Sequence, residues 1–293
     1  CLKNYSQNHN KPAEARILAE EAQALCPDLP APLGLIARAH LAEGAMDAAA
    51  EALERELDLD FAADDERRLL EYLRAAGTSV SFEAAYFEPL DAVIARHAAA
   101  GSAAGAGSEI LLWRTVVRVH PDGTAQQYFR KVVRLRDEKG ARAYDRVRFS
   151  FASGDQELRL ITADVLKADG TVEHARTGRG GRAGGVDLPP LAAGDTLDLE
   201  WRVDDLRPGF FGRYFGFDHP LTPDISVPVA EGEAVLLVPP EIPLVFHARN
   251  LPPGKAAPAE RALDGGLREY RWRLADIAPA RLDALQREAP VGF

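Results

Sequence analysis

Cysteine is nearly absent: Cys1 and Cys26 are the only two in 293 residues, beside a single methionine. Two thiols cannot make a disulfide framework, and they exclude a four-thiolate metal site built from this chain alone. Long apolar runs are missing as well. Stretches such as Ala234–Val238 stop at Pro239, far short of the ~18 apolar residues a membrane span needs, so no transmembrane segment is expected. The seven histidines, His9, His40, His97, His120, His174, His219 and His247, never pair at the short spacings of zinc sites. No Gly-Lys-Ser/Thr ends the glycine-rich stretch Gly178–Gly185, which therefore reads as a loop between strands, not as a phosphate or RNA cradle. No cofactor and no metal is expected. Cys1 has no apolar segment before it and is either a chain boundary, the preferred reading, or the processed start of a lipoprotein.

What is present divides by texture. An apolar share of 46% over 293 residues is enough for two real cores. The net charge of −10 is uneven: residues 1–108 carry nine Lys/Arg against eighteen Asp/Glu, whereas residues 109–182 carry fifteen against ten. The basic segment is too weakly charged and too strand-like for a nucleic-acid footprint, and none is expected. Before residue 100 the chain is rich in Ala, Leu and Glu; after residue 108, β-branched residues, Arg and turn dipeptides dominate. Between them Ala98–Ser108 (AAAGSAAGAGS) holds no packing residue larger than Ala and reads as a flexible linker. The expected domains are 1–97, helical, and 109–293, all-β, joined by 98–108.

The helical part repeats itself. Ala15, Ala19, Leu25 and Pro27 recur 34 residues later as Ala49, Leu53, Leu59 and Phe61. Leu33, Ile36, Ala37 and His40 fall at helical spacing, Gly44 marks a turn, and Ala49, Leu53 and Leu57 form the facing stripe. Small residues at Ala37 and Ala49 allow close backbone approach, and Pro27 ends the preceding helix. Asp64–Ala76 reads as a further opening helix with acidic residues in its first turn, and Pro89 disrupts its partner. Over roughly residues 12–61 this resembles the tetratricopeptide repeat family, with Phe61 standing where the pattern has a closing proline. The resemblance implies a groove that holds a protein partner, faced by Gly34, Leu35, Arg38 and Leu41. The Lys/Asn set that clamps a peptide carboxylate in some relatives is absent at Gly34 and Leu35, and packing against the next helix is an equal reading of all four.

The second part reads as strands. Leu197, Leu199, Trp201 and Val203 alternate with Asp198, Glu200, Arg202 and Asp204; Leu111, Trp113, Thr115, Val117 and Val119 repeat the pattern, as do Tyr270, Trp272 and Leu274. One face is expected to be buried and the other wet. Asp122-Gly123 and Asp169-Gly170 predict tight hairpins, and Gly194-Asp195 a further turn. With no strong helix before about Ala280, the expected architecture is an antiparallel two-sheet sandwich, making the chain an α + β multidomain protein.

Ser153-Gly154-Asp155-Gln156-Glu157-Leu158 leading to Asp169-Gly170, then Gly194-Asp195-Thr196-Leu197 and the proline-rich approach Pro220–Val235, resemble a second family. It is the bacterial domain of unknown function that precedes transglutaminase-like, papain-type catalytic domains. The resemblance implies an all-β module without assigned catalytic residues, found in exported proteins. A transglutaminase-like site needs a cysteine at a helix start. Cys26, beside Pro27 at a helix end, does not meet that need, so no enzyme activity is expected.

Phe210–Phe217 (FFGRYFGF) is the densest aromatic cluster. Most of it is expected in the core, but an extended strand turns Phe210 and Tyr214 to the opposite side from Phe211 and Phe215, and these two are expected to meet the repeats or a downstream catalytic domain. The functional expectation is a non-catalytic, protein-binding scaffold within a larger bacterial transglutaminase-like protein. The alternative is a ligand-binding β module for carbohydrate or cell-wall material, carried on a helical arm.

Overall fold

A computed structural model describes residues 12–75, 77, 81–98, 106–175, 185–209, 215–216, 220–264 and 266–279. The chain divides into two compact units: one runs to Tyr86 and includes His120–Thr124 and Asp205–Phe215, and the other holds Phe87–Val119, Ala125–Asp204 and the chain from Gly216. Among the described residues no helix is long and apolar enough to cross a membrane. Helices precede a large, mostly antiparallel sheet, so the chain is α + β.

The first unit is built on α1 (Pro12–Leu25), α2 (Pro30–Ala42), α3 (Met46–Leu59) and α4 (Asp64–Ala75). Their ends follow from local chemistry. Pro30 opens α2 at a position whose N–H has no helical acceptor, and Gly44 takes φ +77° after α2, a conformation that costs glycine least. Asp64, Asp65 and Glu66 occupy the first turn of α4, where the helix dipole favours them. Ala19, Ala37 and Ala49 are fully buried among Leu33, Leu53, Leu57 and Leu70, so small residues set the helix approach as their spacing predicted. Phe61, at 2% exposure, stacks on His120 with ring centroids 4.3 Å apart, and its N–H donates to Asp122 Oδ2 at 3.1 Å. Phe61 thus anchors the 120–124 turn.

In the second unit α5 (Leu90–Arg96) starts at Pro89 and packs Val93, Leu90 and Ile94 on Leu111, Leu112 and Val132. The strands are β1 (Ser108–Val119), β2 (Ala125–Leu135), β3 (Val147–Arg148), β4 (Gln156–Leu166), β5 (Val172–His174), β6 (Gly185–Val186), β7 (Thr196–Asp205), β8 (Val229–Val238), β9 (Ala259–Ala262) and β10 (Arg268–Ile277), with α6 (Glu138–Ala143) after β2. Eight of them form one sheet in the order β5-β4-β7-β2-β1-β8-β10-β9, while β3 and β6 pair apart. The expected hairpins form: Gly123 and Gly170 both take φ +88°, and Asp122 and Asp169 each accept from the N–H and hydroxyl of the threonine two residues on.

Three expectations change. Among the described residues the ladder joins eight strands into one sheet and leaves β3 and β6 as a second, two-stranded one, because alternation reports which way a residue faces and not which strands are neighbours. The sheet is not purely antiparallel, since β1 runs parallel to β8 with Arg114 opposite Glu233. A helix does occur before residue 280: in α6, Asp137 caps the Gly140 N–H at 2.8 Å. At that helix Gly107, the last residue but one of the expected linker, accepts the Arg136 N–H at 2.9 Å, and a Cβ on Gly140 would lie 1.8 Å from the Gly107 carbonyl oxygen. Only glycine fits there.

Candidate functional site

Strand register sorts the central sheet into two chemically different faces. On one, Tyr128 and Arg130 of β2 share a side with Asp198, Glu200, Arg202 and Asp204 of β7, with Arg114 of β1, and with Glu231 and Glu233 of β8. The β7 residues were expected on a wet face; instead all four are buried, Arg202 at 1% exposure and Arg130 at 0%. Burial of so many charges requires partners. Arg130 reaches Asp198 with Nε to Oδ1 at 3.0 Å and Nη2 to Oδ2 at 2.8 Å, and lies 3.2 Å from Glu200. The Tyr128 hydroxyl donates to Glu200 at 2.9 Å, and Arg202 pairs with Asp204 at 2.8 Å. Arg114 pairs with Glu233, and Arg273 with Glu231 at 2.7 Å. Burial lowers the Arg130 pKa, but Asp198 and Glu200 outweigh it and hold it above the usual value. Burial and then the Glu200 charge push the Tyr128 hydroxyl far up, so it stays a neutral donor. The Arg96 hydrogen bond holds Glu88 below the usual carboxylate range, against the pull of burial.

The opposite face is aromatic and hollow. Trp113, Phe129, Trp201 and Phe149 form a continuous set of rings, with Phe129 stacked on Trp201 at 5.1 Å and Phe149 tilted against it at 4.8 Å. They line a cleft of about 780 Å³, closed on other sides by α6, Tyr144 and the Pro220–Val227 segment. The Trp113 indole N–H is satisfied by the Pro220 carbonyl at 3.0 Å, which fixes the ring. Lys131 of β2 points into this cleft between Phe129 and Val133, its ammonium 4.9 Å above the Tyr144 ring. Burial lowers the Lys131 pKa and Asp224 partly restores it; burial also pushes the Tyr144 phenol up to about 12.

A family model for a domain of unknown function with a solved structure, DUF3857, matches residues 121–281, more than half of the chain. The chain belongs to this family. No curated protein matches it. The DUF3857 match takes in β2 to β10 but not β1, which carries Trp113 and Arg114, and the chain is similar to solved structures of other proteins. One, described as a "putative protease" from Parabacteroides distasonis, is 18% identical with a TM-score of 0.53 and covers 64% of this chain and 39% of its own. The M1 zinc metallopeptidase of Deinococcus radiodurans is 17% identical with a TM-score of 0.33, covering 57% and 39%. The DUF3857 chain therefore spans about two fifths of the length of either.

The residues singled out from sequence lie elsewhere. Gly34 is buried, and a Cβ there would come 2.6 Å from the Glu56 carboxylate, so it faces α3. Leu35 and Leu41 pack partly buried against the helical core, and Arg38 pairs with Glu66 of α4 at 2.5 Å. Phe210 and Tyr214 fall outside the described residues, as does Cys1. Cys26 is exposed. Sequence reasoning missed Lys131 and the cleft. The signal for Lys131 was a charge at an apolar parity position, between Phe129 and Val133, which a search for clean alternation passes over.

Proposed function

We propose that this chain is the non-catalytic recognition and scaffolding part of a larger bacterial transglutaminase-like protein, its tetratricopeptide-like hairpins docking a protein partner and its β domain accompanying the catalytic domain. The observation that carries the reading is charge compensation. A general base needs a carboxylate or imidazole free to take a proton. The buried acids Asp198, Asp204, Glu231 and Glu233 are each held by an arginine. The exposed Cys26 follows the end of α1, not the helix start that a transglutaminase-like nucleophile needs. The 34-residue offset between α1 and α3 supports the repeat reading, and the greater length of the Parabacteroides protein supports a larger whole. Purified chain and its Cys26→Ala variant are to be assayed for amide hydrolysis and amine incorporation. No turnover is expected from either; activity lost on Cys26→Ala overturns the reading.

The aromatic cleft favours a second reading, in which the β domain binds a ligand such as carbohydrate or cell-wall material. Its volume of about 780 Å³ falls in the ordinary range for ligand pockets.

A further inference from the structure

We propose that the cleft on the Trp113–Trp201 face is a monoanion site, taking an apolar or aromatic molecule that carries one carboxylate, with Lys131 as its counter-charge. The inference rests on the ligand-binding reading of the β domain and names the chemistry of the ligand.

Three observations lead to it. The first is an asymmetry between the two sheet faces. Buried Arg114, Arg130 and Arg202 each meet a carboxylate, whereas Lys131 makes no hydrogen bond or ion pair among the described residues. Its ammonium lies over the Tyr144 ring, and Asp224 acts on it only as a more distant charge. A half-buried ammonium over a ring has lost water without gaining an anion at ion-pair distance. The second is the charge of the walls. Lys139, Arg146 and Arg148 line the same cleft and are exposed, against a single carboxylate, Asp224. Asp224 is engaged by its own turn, accepting from the Ser226 N–H at 2.8 Å and hydroxyl at 2.6 Å, and forms no ion pair with Lys131. The third is the lining itself. Trp113, Phe129, Phe149 and Trp201 offer ring faces, which suit an apolar body and repel an anion, so the charged end must lie toward Lys131. One desolvated ammonium balances one charge; a phosphate dianion would bring a second into the same desolvated place.

Two sources share this chemistry, a free organic acid and a peptide's C-terminal carboxylate. The intact chain is titrated by calorimetry with indole-3-acetate against indole-3-acetamide, and with acetyl-Leu-Phe as free acid against its amide. In one arm the acid is expected to bind about tenfold more tightly than its amide, as a charge-assisted contact predicts, and that arm identifies the source. Lys131→Met should abolish the difference, leave amide binding unchanged and not lower the melting temperature. In the unsubstituted chain the difference should fade as pH rises toward the ordinary lysine pKa of about 10.4 and Lys131 loses its proton. Equal binding of acid and amide, or a difference that survives Lys131→Met or high pH, overturns the monoanion inference while leaving a ligand site. No binding by any of the four probes overturns the ligand-binding reading and this inference with it.

Discussion

Arg130 on β2 and Asp198 on β7 meet as a two-pronged pair, Nε to Oδ1 at 3.0 Å and Nη2 to Oδ2 at 2.8 Å, with no solvent on the arginine. The pair joins strands whose sequences lie 68 residues apart. Its geometry matches the guanidinium fork to the carboxylate, the arrangement in which a buried ion pair offsets its own desolvation.

Breaking the pair from one side leaves a buried charge alone. Arg130→Ala or Asp198→Ala should each cost about 3–5 kcal/mol in chemical denaturation. The double variant Arg130→Met/Asp198→Leu should cost less than the sum of the singles, because it removes both charges and keeps the volume. Additive losses would show that the two residues act independently.

Acid should weaken the second unit through Glu88. Its folded pKa is depressed, first by the Arg96 hydrogen bond, so it contributes stability above the unfolded carboxylate value, near 4.3, and loses it as pH falls through the folded value. Melting temperature followed from pH 7 down to about pH 3 should fall less steeply in Glu88→Gln than in the parent chain. Parallel curves would remove Glu88 from the account.

How much of this was legible depends on the range of the interaction. The turns at Asp122-Gly123 and Asp169-Gly170 are decided within four residues, and the helix spacing by Ala37 and Ala49 within one hairpin; both were readable. The alternation of Asp198, Glu200, Arg202 and Asp204 identified β7 and its two faces, but not that the polar face is buried. That depends on Arg130 and Tyr128 of the neighbouring strand. The parallel pairing of β1 with β8 brings residues near 110 to residues near 230, and nothing local records it. Helix α6, six residues long, is too short to show a period. Lys131 was legible only as a charge at an apolar parity position, between Phe129 and Val133; that no carboxylate reaches it at ion-pair distance depends on residues far along the chain.

Asp60 should behave opposite to Glu88. Burial and the nearby Asp122 charge raise its folded pKa above the ordinary value, so its ionised form is disfavoured in the folded chain at neutral pH. A raised carboxylate destabilises above its folded pKa, and the penalty disappears as pH falls through it. Asp60→Asn should therefore raise the melting temperature at pH 7, with the gain shrinking in acid. A lower melting temperature at pH 7 would mean that the Asp60 carboxylate is needed as an acceptor.

The contact between Gly107 and Gly140 gives the sharpest steric prediction. A Cβ built on Gly140 would sit 1.8 Å from the Gly107 carbonyl oxygen, and that oxygen accepts the Arg136 N–H, so the backbone cannot yield without breaking its own bond. Overpacking of this kind costs about 1–3 kcal/mol and more where backbone blocks relaxation. Gly44 provides the comparison: it has φ +77° but open space around its Cβ position, so Gly44→Ala carries conformational strain of only about 1 kcal/mol. Gly140→Ala should thus lower the denaturation midpoint well beyond Gly44→Ala. The loss should fall on the sheet unit, whose Trp113 and Trp201 sit in the cleft that α6 helps close, and tryptophan emission should shift with it. Equal, small effects of the two substitutions would show that α6 can move away from Gly107 at little cost, and that this wall of the cleft is not fixed by the glycine contact.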